Sequence, residues 1–198
     1  MAAEPLDPAL QRQPVGDHGA EALRVAGELR HHPVPGAAGG AMSGEQELYG
    51  LLVPLLDERL LVPRACVAEV TGFQPLQEMP GAPPWYLGIA AWNGRGIPVI
   101  SFEGACGKRI PVIGGRTRIV IFACLGQKLP AGHFGIATQG FPQLVRVNPQ
   151  VIAPDTSRLF PERSPVLCQV RMVNELPLVP DLERLEEMIS DETTVTAA

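Results

Sequence analysis

Aromatic residues are scarce in this chain, since Phe, Tyr and Trp together make up 5% of its 198 residues. Glycine and proline are abundant, with 21 residues of each. This composition predicts many short elements joined by turns and argues against a coiled coil or a large helical bundle, which need long helices. Because 45% of the residues are hydrophobic, the chain can still bury the core of one domain or of two small subdomains.

Positive charge is also in short supply. The formal net charge is −5, which argues against generic binding to nucleic acid or to an anionic membrane. Residues 79–94 form the longest uncharged stretch that is a candidate for a membrane span, and prolines and glycines interrupt it. The N-terminus lacks the basic and apolar regions of a secretory signal. These features predict a cytoplasmic protein without direct membrane insertion.

The four cysteines, Cys66, Cys106, Cys124 and Cys168, are far apart in sequence, and no two form a Cys-x-x-Cys pair. The spacing therefore predicts neither a disulfide framework nor a metal site, and no cofactor is expected. Cys66, Cys124 and Cys168 lie in apolar runs, which is typical of small core residues.

Signatures of catalysis are missing as well. No serine lies in a Gly-x-Ser-x-Gly turn, and Gly107-Lys108 lacks the first glycine and the hydroxyl residue of a phosphate loop. His133 has no acidic neighbour in sequence and is interpreted as a structural histidine. We therefore expect no catalytic residues and no enzyme activity, with a hydrolase of degenerate site as a remaining alternative.

Composition divides the chain into three parts. Residues 1–41 contain five prolines, six glycines and no aromatic residue, so they are predicted to be a disordered extension. Residues 42–189 have a globular composition, and Met42 is an alternative translational start. Residues 190–198 are predicted to be a disordered tail.

The globular part is predicted to be all-β, with nine or ten short strands and one C-terminal helix. Asp181 is placed to cap this helix, and Leu182, Leu185, Met188 and Ile189 share one of its faces. Asn93-Gly94 predicts a tight hairpin turn, because both residues tolerate positive φ. The predicted strands are 49–56, 59–63, 85–92, 96–102, 117–125, 132–137, 143–147, 165–172 and 176–179.

The pattern further suggests two similar halves that meet near Gly104–Arg116. Residues 104–154 contain six basic residues and no acid, whereas residues 181–192 contain six acids and one arginine. This segregation has two readings: a basic patch for an acidic partner, or two regions that folding brings together.

Three motifs of the globular part follow one another in a recognisable order. Residues 51–63 form a strand, a tight turn and a strand ending in Pro, followed by Val67-Ala-Glu69-Val70. Residues 79–88 match Pro-Gly-x-Pro-x-x-x-x-Gly before a hairpin and Pro-Val-Ile, and residues 178–185 carry a strand before Asp-Leu-Glu-x-Leu.

In order and spacing, these motifs resemble the CheW-like coupling proteins of bacterial chemosensory arrays. The resemblance implies two intertwined five-stranded, SH3-like barrels with an apolar groove between them. It also implies a non-enzymatic adaptor that couples the cytoplasmic tip of a methyl-accepting chemoreceptor to a CheA-like histidine kinase, at membrane-associated receptor arrays. The Trp-x-Gly at the hairpin is similar to divergent adaptors that control type IV pili and twitching motility.

Two segments are the candidate partner-binding sites. Val67 and Glu69 match the family's receptor-facing segment, and residues 92–95 lie at a hairpin tip, where exposed residues often bind partners. The alternatives are that Val67 and Trp92 are core residues and that Glu69 is only solvated. The candidate residues are Val67, Glu69, Trp92, Asn93, Gly94 and Arg95.

This sequence departs from the family at that hairpin, where Asn93 stands in place of the Arg associated with receptor contact. A different alternative uses the basic stretch, from Lys108 to Arg146, in a small β-barrel that binds nucleic acid. Such a module needs exposed aromatic side chains for base stacking, and only Phe122, Phe134 and Phe141 are available there.

Overall fold

The computed structural model describes residues 48–196, so the predicted extension 1–41 and its boundary at Met42 lie outside the described residues. The described residues form eleven strands, two α-helices and a 3₁₀ turn at Arg64–Cys66. The strands are β1 (Leu48–Pro54), β2 (Arg59–Pro63), β3 (Val67–Gly72), β4 (Tyr86–Trp92), β5 (Arg95–Ile100), β6 (Arg118–Ala123), β7 (His133–Thr138), β8 (Gln143–Val147), β9 (Ile152–Asp155), β10 (Val166–Met172) and β11 (Leu178–Pro180). The helices are α1 (Phe102–Ala105) and α2 (Leu182–Thr196).

The strands belong to two sheets, which confirms the all-β prediction. The first sheet has the order β8-β1-β2-β11-β10-β9, and the second has the order β3-β6-β7-β5-β4. The first sheet thus has six strands where five were expected. The extra strand is β9. Its Pro154 argues against a strand when the sequence is considered alone. A proline is tolerated there because β9 is an edge strand that pairs only with β10.

The chain crosses between the sheets twice, so the two sheets are intertwined. It leaves the first sheet after β2, through Arg64–Cys66, and returns to it after β7. The expected division into halves near Gly104–Arg116 is wrong, because this segment joins β5 to β6 and both strands belong to the second sheet. Local strand pattern could not reveal this, since β5 pairs with the distant β7.

Three groups of buried side chains hold the fold together. The first sheet surrounds a small cluster that includes Leu52 and Leu61, and the second surrounds one that includes Ile97 and Ile119. A larger shared core lies between the sheets, so strands are buried on both faces, and alternate residues of one strand enter different clusters. The shared core contains Leu51, Val53, Leu60, Val62, Tyr86, Ile100, Val120, Phe122, Phe134, Leu178, Leu182, Leu185 and Ile189, among others.

Helix α2 begins as predicted. The carboxylate of Asp181 accepts a hydrogen bond from the backbone N–H of Arg184 at 2.9 Å. The helix continues to Thr196, whereas the sequence predicted a disordered tail from Ser190. Its last turns are supported by the Thr193 and Thr194 hydroxyls, which both donate to the carbonyl of Ser190 at 2.9 Å.

Candidate partner-binding surface

Glu69 and Trp92 lie on the two edge strands of the second sheet, β3 and β4, and are joined by a hydrogen bond. The indole Nε1–H of Trp92 donates to Glu69 Oε2 at 2.7 Å. Because β3 and β4 are at opposite ends of the strand order, this bond connects the two edges of the curled sheet. The sequence named both residues but did not predict that they touch.

A β-bulge at Ala68 determines where Glu69 points. Val67 pairs with Phe122, and both side chains lie in the shared core. Glu69 pairs with Ile121, whose side chain lies in the second sheet's own cluster on the other face. Without the extra residue, the period of two would place Val67 and Glu69 on the same face. Val67 is only 5% exposed, so its side chain does not reach the surface and the core interpretation applies to it.

Trp92 is half-buried and covers one end of the second sheet's cluster. Its ring lies against His133, with ring centroids 4.7 Å apart and planes at 54°. The Nδ1 atom of His133 is 3.3 Å from the carbonyl oxygen of Ala131. The ring of Trp92 therefore packs on the core, as one interpretation expected, while its polar edge reaches the surface, and its contact with a partner stays a prediction.

The turn after Trp92 has the predicted geometry. Asn93 has φ 47° and Gly94 has φ 73°, and Trp92 pairs directly with Arg95 across the hairpin. Asn93, Gly94 and Arg95 are exposed, and the side chain of Arg95 forms no hydrogen bond or ion pair with residues 48–196. We define the Glu69–Trp92 surface as Glu69, Trp92, Asn93, Gly94 and Arg95.

Two further residues support this surface and were not among the predicted site residues. Gln74 Nε2 donates to the carbonyl of Ala91 at 2.8 Å, which holds the segment after β3 against β4. His133 supports the indole from the start of β7. Nothing local in the sequence indicates either contact, since both depend on how the distant strands pair.

Three of the four cysteines have thiols that are poorly suited to nucleophilic attack. Burial raises the pKa of the Cys66 thiol, and it raises the pKa of Cys106 to about 11 and of Cys124 to about 12. Such thiols are poor nucleophiles. Cys168 is exposed, which contradicts its predicted place in the core, because it lies on the outward face of β10. Within the described part of the chain, no group of three or more His, Cys, Asp or Glu side chains could hold a metal ion.

Two lysines of the basic stretch form ion pairs with acidic residues. Lys128 pairs with Glu187 of the acidic helix, and Lys108 pairs with Glu58 in the β1–β2 turn. Phe122 and Phe134 are fully buried, so they cannot stack on bases as the nucleic-acid alternative requires. Phe141 is exposed, but the guanidinium of Arg118 lies 4.5 Å from its ring centre.

No described helix has the length and apolar character needed to cross a membrane.

Comparison with protein families gives a match to the CheW-like domain over residues 49–188. The chain belongs to the CheW-like family. Among solved structures, the scaffolding protein TtCheW from Thermoanaerobacter tengcongensis is similar, with a TM-score of 0.60 and 19% sequence identity over 70% of this chain and 92% of that one. Comparison with curated protein sequences gives no match. The CheW-like domain thus includes every described strand from β2 to β11 and all but the first residue of β1.

Proposed function

We propose that this CheW-like protein is a non-enzymatic adaptor that couples a methyl-accepting chemoreceptor to a CheA-like histidine kinase. It acts in the cytoplasm, at membrane-associated receptor arrays that control chemotaxis or pilus-driven twitching motility. The observation that carries the proposal is the family match over residues 49–188.

The Glu69–Trp92 surface supports this role because its side chains are already arranged for contact. Trp92 is fixed by Glu69 on one side and by His133 on the other, so a partner need not order it on binding. Tryptophan and arginine are the residue types most often central to binding energy at interfaces. Arg95 lies two positions after Asn93, opposite Trp92 across the hairpin, and we propose that it takes part of the role that the family's arginine has at the position of Asn93.

The test compares partner binding with stability in the same variants. Trp92→Ala should weaken association with a purified receptor tip or kinase regulatory domain by about thirtyfold, which corresponds to roughly 2 kcal/mol. Glu69→Gln keeps an acceptor for the indole N–H and removes the charge, so it separates the charge from the support of Trp92. Calorimetric titration and thermal melting would be measured on each protein.

Phe141→Ala is the matched control, since it removes an exposed aromatic ring outside this surface. It should bind like the parent protein. If folded Trp92→Ala protein binds both partners with unchanged affinity, the hairpin is not an interface. If neither partner binds the parent protein at all, the adaptor proposal itself fails.

A further inference from the structure

A notch lies between the β5–β6 connection and the β9–β10 connection. It has a volume of about 420 Å³, and every charged residue that lines it is cationic. These residues are Lys108, Arg158 and Arg163. We call this site the basic notch.

Two of the three cations are held in place by one acid outside the notch. Glu58 Oε1 accepts from Arg158 at 2.6 Å, and Oε2 accepts from Lys108. Partial burial alone would raise the pKa of Glu58, but these two partners hold it below its ordinary value. The Lys108 and Arg158 side chains are each 40% exposed, so they still reach an incoming group.

Arg163 adds a third positive charge to the two that share Glu58. Its side chain is exposed, and it forms no ion pair with any of residues 48–196. The three cations and Glu58 together leave the notch with an excess of two positive charges. An anionic group would therefore meet attraction, with two of its three cationic partners already ordered.

The floor and one side of the notch are apolar. Ala105, Val166 and Leu178 line it, and the half-buried Phe160 packs under the guanidinium of Arg158, 5.0 Å from the ring centre. Leu159 is 90% exposed beside it. Because Leu159 lines the notch together with the cations, one bound segment can contact its side chain and the positive charges at the same time.

We propose that the basic notch binds an acidic segment of a partner protein, whose carboxylates contact Lys108, Arg158 and Arg163 while an apolar side chain covers Leu159. A nucleic acid fits less well, because the one aromatic ring that lines the notch, Phe160, is already covered by Arg158. This site goes beyond the proposed function, since it shares no residue with the Glu69–Trp92 surface.

The test uses a short fluorescein-labelled peptide in which glutamates flank two central leucines. Its affinity for the full chain would be measured by fluorescence anisotropy beside that of a glutamine version and of a single-stranded oligothymidylate. We expect saturable, salt-sensitive binding of the acidic peptide only. Arg163→Gln should weaken it by about tenfold, as loss of a charge-assisted contact does, and Leu159→Ala should weaken it less.

Arg116→Gln is the matched control, because it makes the same charge change at an exposed arginine outside the notch. It should leave the affinity unchanged. The proposal is overturned by the absence of saturable binding, by equal losses in Arg116→Gln and Arg163→Gln, or by tighter binding of the oligonucleotide. None of these results would bear on the Glu69–Trp92 surface, which is tested with different variants and partners.

Discussion

The edges of the two sheets are brought together differently. In the first sheet, the edge strands β8 and β9 follow one another in the chain, and Asn148 stabilises the turn between them by accepting from the N–H groups of Gln150 and Val151 at 3.0 Å each. In the second sheet, the edge strands β3 and β4 are separated by residues 73–85. There the closure depends on the Gln77–Ile89 bridge, with hydrogen bonds of 2.9 and 2.8 Å, and on the Trp92–Glu69 bond.

This difference between the sheets bears on the candidate partner-binding surface. The connection in the first sheet is local and needs only a short turn, so any one contact contributes little. The closure of the second sheet is non-local, and it positions Glu69, Trp92 and the hairpin tip together. The Glu69–Trp92 surface is therefore also part of the closure of the second sheet. Changes that open this closure should also alter partner binding.

The largest effect should come from the shared core, which binds the two sheets to each other. Phe122 is fully buried and stacks on Phe134 with ring centroids 5.6 Å apart. Phe122→Ala should lower the free energy of unfolding by about 4 kcal/mol because it leaves a cavity. Urea unfolding would be followed by circular dichroism, which reports on both sheets, and by fluorescence of Trp85, which directly precedes β4, and of Trp92, the last residue of β4.

Coincident curves from the two signals are expected in this variant, since a common core should make both sheets unfold together. Phe141→Ala is the control and should cost less than about 1 kcal/mol, because this ring is 65% exposed. Separate transitions in the parent protein would mean that the sheets are independent units.

The closure of the second sheet is broken most directly at Gly88. This residue has φ +137°, and a Cβ there would lie 2.6 Å from the carbonyl oxygen of Gln77. Gly88→Ala should cost about 3 kcal/mol, from backbone strain and from displacement of the bridge. It should also weaken partner binding, because it disturbs the support of Trp92.

Gly72→Ala provides the control for that experiment. A Cβ at Gly72 meets no atom within 4 Å, and its φ is not in the positive range. Denaturant titration of both variants gives the comparison directly. Equal stability of the Gly88→Ala and Gly72→Ala proteins would show that the Gln77 bridge does not contribute to closure.

The turn that joins the edge strands of the first sheet should be less sensitive. Asn148→Ala removes the side-chain acceptor of two backbone N–H groups. The Val151 N–H keeps its bond to the backbone carbonyl of residue 148 and the Gln150 N–H can bind water, so we expect a loss of about 1 kcal/mol. Gln150→Ala, at an exposed position of the same turn, should change stability very little. A loss as large as that of Gly88→Ala would remove the difference between the two sheets.

Local features of the fold were predictable from the sequence. The strands at Arg59–Pro63 and Gln143–Val147 have the predicted bounds, and the Asn93-Gly94 turn and the Asp181 cap follow from side chains that act within a few residues. Non-local features were not predictable. The bulge at Ala68, the Glu69–Trp92 contact and the two crossings between sheets depend on strand pairing over long distances, which no short pattern encodes.

The smallest effect concerns the ion pairs of Glu58, one of which joins the two sheets. This residue lies in the β1–β2 turn of the first sheet, and its partner Lys108 lies in a connection of the second. Although partial burial alone would raise the pKa of Glu58, hydrogen bonds from Lys108 and Arg158 lower it below the ordinary value of 4.5. The stabilisation therefore exists above about pH 4.5 and is lost as the pH falls through the lower, folded-state pKa.

Glu58→Gln should cost less than about 1 kcal/mol at neutral pH, because all three side chains are partly exposed and solvent screens the pairs. The difference from the parent protein should shrink below pH 4.5 and also at high salt. Urea titrations across this pH range would measure it, with the exposed neighbour Asp57→Asn as control. If the difference in unfolding free energy between the two proteins stays constant at every pH below 4.5, Glu58 acts through packing. The two sheets would then be joined by their shared core alone, with no contribution from these charges.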